Sequence, residues 1–512
     1  MKQGSGNGAA TDALLERILR APVYDVAVET PLEPAALLSE RLGNQVWIKR
    51  EDLQPVFSFK LRGAYNRLRS LSEAERKAGV VAASAGNHAQ GVALASTRLG
   101  VEARIVMPRT TPRIKVDAVR RFGGEAILEG DGYDEAAALA RRLRDEEGRT
   151  FVHPYDDLDV IAGQGTVAME ILRQHRGELD AIFVPVGGGG LVADIVAYVK
   201  RIAPQTKVIG VEPDDAACLA AALAAGERVD VGPVGLFADG VAVRQVGEWP
   251  FEIVRDQIDE VVTVGIDEIC AAIRDVFDDT RSIAEPAGAL ALAGLKRWVA
   301  REDVRGATLV AIDSGANMNF DRLRHVAERA EIGEDREALL AVTIPERPGA
   351  FQSLCRGLGD HAVTEFNYRY GDASAAHVFV GVGLSGDASE RAVVMDGLRA
   401  EGFEVVDMTG NELAKLHVRF MVGGRADRAH ERLFRFEFPE RPGALSRFLE
   451  AVGGRWNISL FHYRNHGAAF GRVLVGLEVP PEAEGELDRF LEELGYAWVE
   501  ETGNPVAGLF LG

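Results

Sequence analysis

Four short runs in this 512-residue chain combine residue types that can hold an anion, activate an amine and orient a small polar ligand. In the first, Val184-Pro185-Val186 leads into Gly187-Gly188-Gly189-Gly190-Leu191, followed by a helical pattern over 192–202. Consecutive glycines let the backbone fold tightly enough for several N–H groups to converge, and a helix start adds positive partial charge, so the run predicts a phosphate seat. It is neither a G-x-G-x-x-G dinucleotide pattern nor a Walker loop, because the acidic ribose partner of the one and the Lys-Ser/Thr of the other are missing. The second run is Lys49-Arg50-Glu51-Asp52 followed by Ser58-Phe59-Lys60-Leu61-Arg62-Gly63-Ala64. Lys60 lies between aromatic and aliphatic neighbours at a helix start, where desolvation and the helix dipole lower an amine pKa and a neutral amine can attack a carbonyl. A lone lysine is usually a solvated charge; beside a phosphate seat it becomes a candidate nucleophile.

In the third run, Ser84-Ala85-Gly86-Asn87-His88 closes an apolar strand and opens a helix. Its N–H groups can bind a carboxylate and the Asn87 amide can donate to a ring oxygen, although Ser84 or Asn87 serving only as a helix cap is an equal reading. The fourth run, Leu309 to Asn317, places Ser314 at the C-terminal end of a strand, where open α/β sheets bind ligands, with Asp313 pointing to the opposite face.

The elements that must position these runs follow from periodicity. From about 24 to 325, apolar strand-like runs alternate with helical ones, the pattern of a parallel sheet flanked by helices. Strands are expected at 45–48, 80–83, 103–107, 125–128, 181–186, 207–211 and 308–312, with helices over 86–99 and 112–122. Residues 1–23 read as a flexible lead-in and 326–338 as a linker. Beyond it the chain repeats itself: Pro345-Glu346-Arg347-Pro348-Gly349-Ala350 returns 94 residues later as Pro439 to Ala444, and Phe366-Asn367-Tyr368-Arg369 returns as Phe461-His462-Tyr463-Arg464. Each copy, 339–411 and 432–504, reads strand, helix, strand, strand, helix, strand, a ferredoxin-like α+β module, and the two copies are expected to pair.

Composition narrows the function classes. With 58 Lys+Arg against 78 Asp+Glu the chain carries −20, which repels nucleic acid and anionic membranes. No apolar stretch approaches the ~20 residues of a membrane helix. Three cysteines, 218, 270 and 355, form no disulfide framework and fit a reducing cytoplasm. Glycine, 56 of 512 residues, exceeds the usual ~7% and accumulates in the runs above.

Together the four runs resemble the pyridoxal-phosphate enzymes of fold type II, and the register over 49–64, 84–92, 160–166, 184–191 and 233–243 resembles the biosynthetic threonine dehydratases. The resemblance extends through the duplicated region, which is similar to their two ACT-like regulatory domains. It implies an α/β catalytic domain over 24–325 of the tryptophan synthase β type, with pyridoxal 5'-phosphate as cofactor. Lys60 would carry the cofactor and move the α-proton; Phe59 would pack on its ring; Asn87 would bond the ring hydroxyl, Gly187, Gly188, Gly189, Gly190 and Leu191 the phosphate, and Ser314 the ring nitrogen. Ser84, Ala85, Gly86, Asn87 and His88 would bind the substrate, L-threonine, which becomes 2-oxobutanoate and ammonia. Isoleucine and valine would act as effectors near Phe351, Tyr368, Leu445 and Tyr463, in a cytoplasmic homotetramer.

The departures carry expectations of their own. Racemising relatives have serine where Ala85 stands, so racemisation is disfavoured. Metal-dependent relatives pair an acid near Glu212 with a second acid whose place is taken by Cys218, so no metal site is expected. Asp194 stands where relatives have glycine and is expected to weaken the phosphate seat slightly by repulsion. A serine dehydratase, or an amino-acid sensor that has lost catalysis, remains the alternative at this stage, since one methyl group discriminates threonine from serine by only ~1–3 kcal/mol.

Overall fold

Strand-forming runs and helical runs sort into two units, 1–330 and 331–512, in a computed structural model that describes residues 6–130, 132–320, 322–345, 347, 349–369, 375–387, 389–411, 414, 415, 418–420, 430–439, 444–452, 456–464 and 470–504. The first unit holds two sheets. The larger has β1 (Leu32–Pro34), β2 (Gln45–Arg50), β7 (Ala181–Pro185), β8 (Lys207–Pro213), β9 (Glu260–Val264) and β10 (Thr308–Asp313) in the order β1-β2-β10-β7-β8-β9, parallel except for β1. The smaller is fully parallel, with β3 (Val80–Ala83), β4 (Ala103–Met107), β5 (Glu125–Leu128) and β6 (Thr150–Phe151) in the order β5-β4-β3-β6. Every residue of β7 and β3 is buried, as helices on both faces require. The strands expected from sequence are present, three with the expected ends and four with the C-terminal end shifted by one or two residues. Three others escape the pattern for physical reasons: β6 has two residues, β1 is an antiparallel edge strand ending in Pro34, and β9 is an edge with Glu260 at its start.

Two expectations are corrected. The supposed lead-in contains the helix Gly6–Arg20, whose Leu14 and Ile18 are 3% and 1% exposed and pack with Ile161 and Ala162. The supposed linker is consumed by the helix Arg322–Gly333 and by β11, which starts at Glu337; Val326 and Ala330 are core residues of the first unit. The apolar spacing i, i+4 in both helices was masked by polar neighbours.

In the second unit β11 (Glu337–Pro345), β12 (Val363–Arg369), β13 (Ala375–Gly383) and β14 (Glu404–Asp407) belong to the first repeat; β15 (Glu431–Pro439), β16 (Asn457–Arg464), β17 (Phe470–Glu478) and β18 (Ala497–Glu500) belong to the second. All eight form one antiparallel sheet in the order β14-β11-β13-β12-β16-β17-β15-β18. The repeats therefore meet through β12 and β16. Phe366 faces Tyr463 and Tyr368 faces Phe461, an exchange of equivalent residues about a local two-fold between Asn367 and His462. Gly349 takes φ +85° at the first Arg-Pro-Gly turn, a conformation that favours glycine; the second turn, 440–443, lies outside the described residues. Among the described residues no helix is long and apolar enough to cross a membrane.

One ionic cluster ties the first unit together. Lys49, Glu51, Arg62 and Glu170 are all fully buried and sum to zero charge. Arg62 reaches Glu51 at 2.7 Å and Glu170 at 2.6 Å, and Lys49 reaches the other Glu170 oxygen at 2.6 Å and the Thr30 carbonyl at 2.5 Å. Removing one member leaves an uncompensated buried charge, so Arg62→Ala is expected to cost ~3–5 kcal/mol in urea unfolding. Arg113→Ala, which breaks the exposed pair with Asp117, should cost less than ~1 kcal/mol in the same measurement.

Candidate active site

The site begins with a strap. Ser58 bridges Gly315, the Phe59 N–H donates to the Ser314 carbonyl at 3.3 Å, and the Ala316 N–H donates to the Phe57 carbonyl at 2.9 Å. Segments far apart in sequence thus bring Lys60 and Ser314 together. Lys60 opens the helix Lys60–Arg69; its Nζ donates to the Pro154 carbonyl at 2.8 Å and lies 5.2 Å from the centre of the Phe59 ring. Burial pushes its pKa down to about 8, as the sequence context predicts. The Lys49 amine, by contrast, is committed to the ionic cluster.

Gly187 to Gly190 turn from β7 into the helix Gly190–Ile202, and the first three leave no space for a Cβ. A Cβ on Gly188 would lie 2.2 Å from the Tyr155 ring; on Gly187, 2.9 Å from the Val241 backbone; on Gly189, 2.8 Å from Pro250. Gly189 also takes φ +90°. The first-turn amides of this helix have no helical acceptor and could hold an anion. The Leu191 side chain packs into the core, so only its backbone is available to a ligand. Ser84, Ala85, Gly86 and Asn87 stay partly open between the buried ends of β3 and of the helix Asn87–Leu99. The cap residue is Gly86, and the Ser84 hydroxyl accepts the Gly86 N–H at 3.3 Å, so neither Ser84 nor Asn87 is the cap. His88 turns inward: its Nε2 bonds the Val152 carbonyl at 2.9 Å, and burial, with Lys60 nearby, pushes its pKa down to about 3, which leaves a neutral ring donating from Nε2. Only its backbone remains for a substrate.

Ser314 donates its hydroxyl to the Ala287 carbonyl at 3.1 Å. Beside it, burial and the Asp52 charge outweigh the pull of Arg50 and the Gly315 N–H and push Asp313 well above the usual carboxylate range, which favours its neutral form. The same holds for Asp194, fully buried with neither carboxyl oxygen bonded. Burial pushes its pKa well up and favours the neutral form, which reduces the expected repulsion of the phosphate. Glu212 accepts the Leu219 and Ala220 N–H groups at 2.8 and 2.9 Å, and Cys218 donates to the Gly187 carbonyl at 3.4 Å. Phe351, Tyr368, Leu445 and Tyr463 all lie in the shared core of the second unit, with the rings of Phe351 and Tyr368 edge to face at 5.0 Å.

Sequence reasoning missed Tyr155, Lys115 and Glu285. Tyr155 fills the space beside Gly188; its signal is the run His153-Pro154-Tyr155 after β6. Lys115 pairs with Asp239 at 2.6 Å. It also lines a cavity of about 640 Å³ with Phe57, Gln90, Ala316, Asn317 and Met318. Glu285 precedes Pro286 at the head of a helix with no charged residue before Lys296, and its side chain accepts from Asn87. Ser58, in the strap, has a buried hydroxyl without a partner. An anion seat, a desolvated amine, an aromatic face, an amide donor and a hydroxyl in one place fit pyridoxal phosphate; Lys60, Phe59, Asn87, Ser314 and the glycine turn would hold it.

Comparison with known proteins agrees with this geometry. Residues 23–315 match the family described as pyridoxal-phosphate dependent enzyme, and residues 328–418 and 422–511 match the C-terminal regulatory domain of threonine dehydratase. The biosynthetic L-threonine dehydratase of Burkholderia multivorans is 57% identical over 98% of this chain and 100% of its own, and that of Escherichia coli 54% identical over 97% and 96%. The processed form of threonine deaminase isoform 2 from Solanum lycopersicum superposes with a TM-score of 0.63 at 51% identity, over 64% of this chain and 96% of that one. With Lys60, the glycine turn and both repeats in place, the chain belongs to the pyridoxal-phosphate-dependent threonine dehydratase family.

Proposed function

We propose that this chain dehydrates L-threonine and releases ammonia, leaving 2-oxobutanoate, and so commits threonine to isoleucine. The observation that carries the reading is the Lys60 amine, lowered to about 8 by burial, held beside Phe59 and strapped to Ser314. Bound here, pyridoxal phosphate supplies a conjugated ring that accepts the negative charge developing at the substrate α-carbon. The residues do the rest. Lys60 has an appreciable neutral fraction near neutral pH and can take up the α-proton. The backbone of Ser84 to Asn87, at a helix N-terminus, holds the substrate carboxylate. Ser314 would offer the ring nitrogen a hydroxyl rather than a carboxylate, and the raised pKa of Asp313 limits the counter-charge beside it, an environment that favours loss of the β-hydroxyl over return of the proton. Ala85 carries a methyl group, which cannot return a proton on the face away from Lys60.

Isoleucine as inhibitor and valine as its antagonist belong to the same reading, since feedback needs an effector that binds one state of the enzyme better. The two-fold pairing of β12 with β16 sets Tyr368 and Tyr463 at equivalent positions beside Phe351 and Leu445, and the Gly349 turn offers a helix N-terminus to an effector carboxylate. A homotetramer in the cytoplasm completes the proposal.

Three outcomes are expected. The purified enzyme shows the visible absorbance of the linked cofactor, and Lys60→Ala abolishes that band while lowering threonine turnover by at least ~10²-fold; a band that survives the substitution overturns the reading. Gly188→Ala forces the Tyr155 ring aside and raises the cofactor concentration needed for half-saturation, measured by titrating the apoenzyme, by at least ~10-fold. Threonine is turned over in preference to serine, and saturating isoleucine depresses the rate; unchanged activity removes the regulatory part.

A further inference from the structure

The Asn87 amide sits in a short chain of hydrogen bonds with an unambiguous direction. At one end Asn317 Nδ2 donates to the Val56 carbonyl at 2.8 Å, an oxygen that can only accept. The same nitrogen donates to Asn87 Oδ1 at 2.6 Å, and Asn87 Nδ2 in turn donates to Glu285 Oε1. A carbonyl and a carboxylate thus fix both ends, and the amides between them have one consistent orientation. In that orientation Asn87 keeps one N–H uncommitted. Glu285 is itself held hard: its backbone N–H donates to the Gly315 carbonyl at 3.0 Å, and its Oε1 lies 3.0 Å from where a Cβ on Gly315 would be. Two residues on, Ala287 accepts the Ser314 hydroxyl, so the head of one helix touches both polar side chains that would contact the cofactor ring.

We propose that Glu285 is a positioning residue for the cofactor: its carboxylate fixes the Asn87 amide as a donor toward the ring hydroxyl, so that cofactor affinity follows the ionisation of Glu285. The proposal rests on the assignment of Asn87 to the ring hydroxyl. A protonated Glu285 can donate as well as accept, and the Asn87 amide then keeps only the Asn317 bond, anchored on the Val56 carbonyl, to set its direction. Burial pushes the Glu285 pKa up to about 7. The groups facing it are Lys115 and Arg322, which favour the carboxylate, and Asp239, which opposes it, with Asn87 donating a hydrogen bond; Asp313, nearby, has its own pKa raised in part by Glu285. Ionisation therefore falls within the range where the enzyme is handled, and the amide is held from both sides above about pH 7 and from the Asn317 side alone below it.

The test measures the dissociation constant of pyridoxal phosphate from apoenzyme, and the bound cofactor's visible spectrum, between pH 5.5 and 9 in the parent enzyme, Glu285→Gln, Glu285→Ala, Asn87→Ala and the double variant Asn87→Ala/Glu285→Gln. In the parent, affinity should rise with pH through a transition near 7 that is absent in Glu285→Gln. Loss of the carboxylate should weaken binding about tenfold at pH 8, the size of one hydrogen bond. In the Asn87→Ala background, Glu285→Gln should change affinity by less than twofold, because the carboxylate acts through the amide. Additive losses, or persistence in Glu285→Gln of the step near pH 7, would overturn the positioning role; the step near 8 that Lys60 itself produces is common to all variants. If Asn87→Ala alone leaves both affinity and spectrum unchanged, the assignment of Asn87 to the ring hydroxyl is what fails.

Discussion

The position of the Lys60 amine depends on four buried charges that never touch the substrate. Arg62 lies two residues beyond Lys60 on the same helix and is clamped between Glu51, which follows β2, and Glu170 on the helix Thr166–Gln174, while Lys49 from β2 itself closes the ring of charge. An apolar cluster of the same volume could be as stable, because desolvating four ions offsets much of their attraction. What ions add is direction: guanidinium and carboxylates meet well in few geometries, so the helix has one angle and one register against the sheet. Lys60 then emerges at a set point beside Phe59, and the strap to Ser314 can form.

The other determinant is space. Between Gly187 and Gly190 the backbone passes so close to Tyr155, Val241 and Pro250 that no side chain fits, and that closeness leaves the helix amides bare for an anion. The neighbouring acids would oppose an anion if charged. Burial pushes the pKa of Asp194 and of Asp313 well up and so favours their neutral forms, which lessens the opposition that a protein carrying −20 offers to a phosphate here.

Much of this is legible in residue order. Parallel strands buried on both faces leave unbroken apolar runs, and the four-glycine turn and Phe59-Lys60 have few structural uses other than the one they serve. The duplication is visible because 345–350 and 439–444 keep the same residues, and its pairing across β12 and β16 follows the expectation that neither copy stands alone. What stayed hidden depends on tertiary partners. Tyr155 matters because of Gly188, Glu285 because of Asn87, and the helix Gly6–Arg20 because Ile161 and Ala162 receive its Leu14 and Ile18. The charge on Asp194 was misread for the same reason, since sequence shows the acid and not its dry surroundings. Phe351, Tyr368, Leu445 and Tyr463 form one apolar core, which spacing alone does not distinguish from an open pocket.

The account turns on which amine carries the cofactor. Reducing the holoenzyme with borohydride fixes the cofactor to its lysine, and peptide mass mapping then locates the label. The account predicts a single label on Lys60, with Lys49 and Lys115 unmodified, because Lys49 is held by Glu170 and Lys115 by Asp239. A label on either of those lysines, or none at all, would contradict it.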